Sequence, residues 1–339
     1  MSAFCGEDLM GRRRIHADDR TKWRENKRHQ RHQRQGMEPL TSLFPYPGGK
    51  AAVASVIWQH LGDVRHYLEV FAGSLAVLLA RPHPPRVETV NDLDGHITNV
   101  WRALAADQKV VASYADWPVA SLDLQARHAV LCSAREALTA RLRADPAFYD
   151  AQLAGYWIYC RSTWAGTSGF GTTAGQMPQP LLTHTGNGIH AIARRGKLLQ
   201  LCQALKVRLR YVRVFCGDWQ ACLTPARLFG VGGPVGILLD PPYTQAHRAH
   251  QLYAVPDASA PAVRDWAVAH GDNPKLRIAL CGLEGEHTMP SGWTAHHWQA
   301  RGGLANTKAS GRGSGETRAE VVWFNASCLQ EGAQLPLPV

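Results

Sequence analysis

The tetrapeptide Asp240–Pro241–Pro242–Tyr243 follows directly on an apolar run, Val235–Gly236–Ile237–Leu238–Leu239. A short apolar run of this kind reads as a buried strand, and in open α/β sheets ligands bind outside the carboxyl ends of the strands. Two successive prolines fix φ twice and restrict the residue before them, so the loop is stiff. Stiffness holds one carboxylate, one backbone carbonyl and one aromatic ring in a constant arrangement. That set suits an exocyclic amine on a flat base. Asp240 and the Pro241 carbonyl would accept its two N–H bonds, and Tyr243 would stack on the ring. The amine lone pair, otherwise delocalised into the ring, then turns toward an incoming methyl group. A bare Asp-Pro-Pro is more often a structural turn; the tyrosine and the preceding strand favour chemistry here.

Other loops carry candidate ligands. Glu69–Val70–Phe71–Ala72–Gly73 ends a strand, where Gly73 lets the backbone approach a ligand and the next helix presents free N–H groups. It lacks the G-x-G-x-x-G glycines that cradle a pyrophosphate, which argues against a nicotinamide-dependent oxidoreductase. Asn91–Asp92–Leu93–Asp94 ends a second strand. Asp92 there is placed to accept hydrogen bonds from two ribose hydroxyls, with Asp94 as the alternative. Pro45–Tyr46–Pro47–Gly48–Gly49–Lys50 is a turn-rich loop ahead of a helix, and Phe215–Cys216–Gly217–Asp218 ends another strand.

In this order the motifs resemble the Dam-like class of site-specific DNA N6-adenine methyltransferases, over about residues 38–105 and 205–325. The resemblance implies S-adenosylmethionine as methyl donor and a flipped-out adenine as acceptor. It makes Asp240, Pro241, Pro242 and Tyr243 the catalytic set. It implies that Tyr46, Lys50, Glu69, Phe71, Gly73, Asp92, Asp218 and Asp240 form the cofactor site. Glu69 would meet the methionine amino group, Lys50 its carboxylate and Tyr46 the sulfonium. Asp218 would accept from the cofactor's 6-amino group, or else cap a helix over 219–224. Tyr46 stands where the class more often has Trp, Pro47 replaces a small residue, Val70 replaces Pro, and Ser74–Leu75 replaces a more Gly-rich stretch. None of these removes a ligand. The rival readings are an N4-cytosine DNA or adenine RNA methyltransferase, or a catalytically silent DNA-binding module.

Hydrophobic patterning supplies the elements that hold these loops. Strands are expected at His66–Phe71, Val87–Val90, Val207–Phe215, Val235–Leu239, Leu276–Cys281, Thr294–Trp298 and Ala319–Asn325. Helices are expected through Val53–Leu61, around Leu78 and over 95–106, 121–142, 147–160 and 189–205. Alternating strands and helices predict an α/β, Rossmann-like methyltransferase sheet with an inserted, mainly helical DNA-recognition domain. The expected divisions are a disordered basic tail at 1–37, the methyltransferase domain at 38–106 and 206–327, the recognition insertion at 107–205, and a C-terminal tail at 328–339. Arg161, Arg194, Arg195 and Lys197 are the candidate phosphate contacts, and Trp164 and Phe170 lie in the Gly/Ser/Thr-rich stretch beside them.

The chain has 339 residues and a formal net charge of +10. Residues 1–36 hold 10 basic and 5 acidic side chains, so half of that surplus, +5, sits in the tail. A basic balance favours a polyanion such as double-stranded DNA without identifying it. Eight cysteines without a C-x-x-C pair read as reduced thiols rather than a zinc site. No apolar run reaches the roughly 18–20 residues of a membrane span, and no secretory signal precedes the fold. A cytoplasmic protein is expected, bacterial or phage-encoded by resemblance, monomeric or weakly dimeric, with a restriction endonuclease partner left open.

Overall fold

A computed structural model describes residues 40–46, 48–164, 180, 189, 197–243, 259–298 and 320–330. Residues 40–339 form one compact unit. Its centre is a seven-stranded sheet: β1 (His66–Glu69), β2 (Val87–Asp92), β3 (Val212–Cys216), β4 (Val235–Leu239), β5 (Leu276–Leu283), β6 (Thr294–Trp298) and β7 (Glu320–Phe324). The spatial order is β3-β2-β1-β4-β5-β7-β6. The first five strands in that order are parallel, and β7 runs antiparallel between β5 and β6. The order reverses between β1 and β4, the switch point at which a Rossmann-like sheet opens a crevice beyond its strand ends.

Strand side chains alternate between two cores, as a pleat requires. Tyr67, Leu238, Ala279, Cys281, Val322 and Phe324 face one core. Leu68, Ile237, Leu239, Ile278, Leu280, Val321 and Trp323 face the other. The first face is covered by α1 (Ala54–Leu61), α2 (Ala76–Leu79), α3 (Gly95–Ala115), α4 (Ser121–Ala144), α5 (Ala151–Thr163) and α6 (Leu198–Leu209). The second is covered by a 3-10 turn at Trp219–Cys222, by α7 (Pro225–Phe229) and by α8 (Ala260–His270).

The helices expected as an insertion therefore share the core of the sheet. Leu124, Leu131, Trp157, Ile158 and Tyr159 are buried with Trp58 and Trp101. Helix α3 crosses the expected boundary at 106/107 and bends at Asp107, whose φ of −136° and ψ of 66° are non-helical. Beyond the bend it packs on α5, and the Asn99 side chain bonds both ways with the Asp150 backbone at 2.8 Å.

Two expectations need correction. The strand placed at Val207–Phe215 begins at Val212, because Cys202, Leu205 and Leu209 continue the buried stripe of α6. The helices α7 and α8 were not foreseen. Helix α8 buries only Ala260, Val263 and Ala267, and so small a stripe gives little periodic signal. The tail, Arg194, Arg195, Phe170 and the Gly-rich basic segment 301–318 lie outside the described residues. Among the described residues no helix is long and apolar enough to cross a membrane.

Candidate active site

Four chain segments meet at the carboxyl rim of β1, β2 and β4, around a cavity partly open to solvent. The loop before α1 brings Tyr46, Gly48, Gly49 and Lys50; the β1 end brings Glu69, Phe71 and Gly73; β2 brings Asp92 to Asp94; β4 brings Asp240 and Pro242. The lining holds four acids (Glu69, Asp92, Asp94 and Asp240) against one cation, Lys50.

Asp240 is the hub of a buried ionic cluster. Lys50 Nζ lies 2.8 Å from Asp240 Oδ1 and 3.5 Å from Glu320 Oε2, with 3% of the lysine side chain exposed. The same ammonium donates to the Gly48 carbonyl at 2.5 Å. Its three N–H directions are thereby occupied, so Lys50 holds the Asp240 carboxylate rather than waiting for a ligand carboxylate. Burial opposes the charge on Lys50, but Asp240 and Glu320 outweigh it and hold the amine above the ordinary lysine range. Burial raises both carboxyls above their usual range, and the shared ammonium opposes that rise. The Tyr243 hydroxyl reaches Asp240 Oδ1 at 3.4 Å and Glu320 Oε2 at 3.2 Å, and Lys50 sits 5.2 Å from the centre of its ring.

Glu69 is held from its far side. Its Oε2 accepts the Tyr67 hydroxyl and the Leu78 N–H, both at 3.0 Å. Its Oε1 takes no hydrogen bond from the described residues, and Glu69 is part of the cavity lining. Burial lifts this carboxyl to about 8, against the two hydrogen bonds that favour its anion. At neutral pH the side chain is therefore mostly protonated.

The two aspartates of the β2 loop have different work. Asp92 Oδ2 accepts the Gly73 N–H and Oδ1 the Asp94 N–H, both at 2.9 Å, which pins the β1 and β2 loops together. Asp94 Oδ1 accepts the His96 N–H at 2.9 Å as the cap of α3 and pairs with Arg135 Nη1 at 2.9 Å. Its carboxylate is committed to the fold, which favours Asp92 as the ribose ligand. Asp218 is exposed, caps the 3-10 turn through the Gln220 N–H at 2.8 Å and is not part of the lining. Gly73 has a φ of +46°, and a Cβ there would lie 2.7 Å from Cδ1 of Tyr46. The ring thus approaches the loop after β1 this closely only because residue 73 lacks a side chain.

The expected phosphate contacts need one correction. Arg161 is 2% exposed; its Nε donates to the Pro45 carbonyl at 3.3 Å, and its guanidinium lies 5.8 Å from the Tyr46 ring centre. It buttresses the loop before α1 instead of facing DNA. Trp164 is likewise buried. Lys197 is exposed at the start of α6.

Glu320 went unnoticed in the sequence, where its only signal is an acid opening an apolar strand. A second buried network was also missed. Glu88 on β2 is fully buried and accepts Arg81 Nη1 at 3.0 Å and Arg208 Nη2 at 2.8 Å. Arg208 further donates to the Leu78 carbonyl at 3.3 Å, on the peptide unit following the N–H that holds Glu69.

Sheet order and rim cavity define a Rossmann-like α/β fold with its crevice at the switch point. Residues 46–173 match the family model of D12 class N6 adenine-specific DNA methyltransferases. The Asp-Pro-Pro-Tyr corner lies beyond the matched range. Among solved structures, the yhhF protein of Escherichia coli, described as a candidate methyltransferase, is similar at 11% identity over 84% of this chain and 90% of its own. Its TM-score is 0.30, too low to bear on function. No curated protein is significantly similar to the chain.

Proposed function

We propose that the methyl donor is S-adenosylmethionine, that the acceptor is the 6-amino nitrogen of an adenine flipped out of double-stranded DNA, and that Asp240 is the group that orients this amine. One observation carries the reading: the Asp240 carboxylate lines the same cavity as Glu69, Gly73 and Asp92. A nitrogen held by Asp240 would therefore face a donor held by the other three. The donor supplies an activated methyl on a positively charged sulfur. Glu69, as its anion, would meet the methionine amino group, Asp92 the ribose hydroxyls, and Tyr46 and Phe71 the flat or cationic parts.

The protein's own groups would act mainly by position and charge. Asp240 accepts one N–H of the amine and the Pro241 carbonyl the other, which turns the lone pair out of conjugation. Tyr243 offers its ring face to the base, whose extraction from the stack costs a few kcal/mol. Orientation and a fixed negative field opposite the nascent ammonium would supply most of the rate. The exposed Lys197, with Arg194 and Arg195, is the proposed phosphate contact. The test is incubation with unmethylated duplex DNA and methyl-labelled donor. Label is expected in 6-methyladenine with wild-type protein and absent with Asp240→Asn. Label in cytosine, or unchanged turnover of Asp240→Asn, would overturn the assignment.

A further inference from the structure

Glu320 enters the site by strand topology. β7 runs antiparallel to the strands that carry the other ligands, so its first residue arrives at the rim where they end. Glu320 pairs with Leu283 on β5 and Trp298 on β6. From there Oε2 lies 3.5 Å from Lys50 Nζ and 3.2 Å from the Tyr243 hydroxyl, with 15% of the side chain exposed.

The charge balance of the cluster gives this carboxylate a consequence. Lys50 and Asp240 by themselves form a neutral pair at 2.8 Å, and a neutral pair does little to stabilise positive charge growing on the substrate amine. A second carboxylate leaves the cluster with one net negative charge. The other titratable groups facing it leave that balance in place. The Cys281 thiol is pushed well above its ordinary range by burial, and Glu69, ionised when the donor binds, would be balanced by the donor's own ammonium.

Resting on the proposed role of Asp240 as acceptor of the substrate amine, we infer that Glu320 is a positioning residue of the methyl-transfer site: it draws part of the Lys50 ammonium away from Asp240, fixes the Tyr243 hydroxyl, and keeps a net negative charge opposite the amine as it becomes an ammonium. It acts through Lys50, Asp240 and Tyr243 rather than by touching the base.

Two isosteric pairs at this position separate charge from shape. Glu320→Gln keeps an acceptor for Lys50 and Tyr243 and removes the charge; Glu320→Asp and Glu320→Asn share one shortened length and differ in charge alone. Steady-state transfer to unmethylated duplex DNA is measured for these and for Asp240→Asn, with melting followed by circular dichroism. Glu320→Gln should lower kcat about tenfold to a hundredfold. Its KM values for donor and DNA should stay within about threefold. Glu320→Asp should exceed Glu320→Asn in kcat by about tenfold. If Glu320→Gln is insoluble, the aspartate and asparagine pair decides by itself. Wild-type kcat in the neutral variants with an inactive Asp240→Asn overturns the role of Glu320, whereas an active Asp240→Asn overturns the reading beneath it.

Discussion

Replacing Gly73 with alanine probes the join between fold and cofactor site, and its effect can be built from two parts. A φ of +46° places the residue in the left-handed region, where a Cβ costs about 1–2 kcal/mol. The new methyl would also lie 2.7 Å from Cδ1 and 2.8 Å from Cε1 of Tyr46, well inside contact distance. Relief requires the ring to retreat by about 1 Å, an overpacking strain of about 1–3 kcal/mol. The sum is about 2–5 kcal/mol, which for a chain of this size lowers the melting temperature by about 3–7 °C. The Gly73 N–H also holds Asp92 Oδ2 at 2.9 Å, so a shifted loop misplaces the proposed ribose ligand as well. S-adenosylmethionine and its demethylated product should both bind about tenfold more weakly or worse. Calorimetric melting and titration read both effects. A double-mutant cycle sharpens the test: in a Tyr46→Ala background the clash is gone, and Gly73→Ala should cost only the backbone part, about 1–2 kcal/mol. Equal costs in the two backgrounds, or a melting temperature and affinity unchanged by Gly73→Ala, would refute the reasoning.

The raised Glu69 carboxyl, near 8 in the free protein, must ionise to meet an ammonium, so donor binding should release a proton. Affinity should therefore rise with pH from 6 to about 7.5, below the donor's own amino titration near about 7.8. Calorimetry in two buffers of different ionisation enthalpy counts that proton, and no release from wild type, or the same release from Glu69→Gln, sinks the assignment. Glu88→Gln strips the buried guanidiniums of Arg81 and Arg208 of their shared counter-charge and should cost about 3–5 kcal/mol in urea unfolding at pH 7; a loss under about 1 kcal/mol would mean the network is solvated. Arg161→Ala should destabilise by about 1–3 kcal/mol and leave the salt dependence of DNA affinity unchanged, whereas a slope smaller by about one unit would return Arg161 to the phosphates.

The fold was legible wherever burial imposed a period. β4 follows an unbroken apolar run that only a fully buried strand tolerates, and it is buried at all five positions. The edge of β3 was misplaced because Val207 and Leu209 satisfy an alternating pattern as well as they satisfy the last turn of a helix. Buried Cys202, Leu205 and Leu209, three to four residues apart, decide for the helix. The helical segment after β2 was expected to form an inserted recognition domain because the strand pattern is interrupted there, yet Trp157 and Tyr159 finish the same core that Trp58 and Tyr67 begin. Sequence shows that a helix has an apolar face; it does not show which surface that face meets.

The same distinction governs the site. Asp240, Gly73 and Asp92 were legible because their surroundings are local: a strand, a tight turn and a neighbouring backbone N–H. The partners of Lys50 were not, since Asp240 and Glu320 stand 190 and 270 positions further along the chain and meet it only through strand register. A lysine in the loop before α1 reads naturally as a handle for an acidic ligand. The folded chain instead surrounds it with two carboxylates of its own, and a buried ammonium with three acceptors is too well satisfied to turn toward a fourth. Arg161 repeats the lesson with the opposite surface. Its charge suggested DNA, but its place on the last turn of α5 brings it under Tyr46 and the Pro45 carbonyl. Basic residues expected to meet DNA therefore divide by burial before they divide by charge, and on that criterion Lys197 remains a candidate for the phosphate backbone while Arg161 does not.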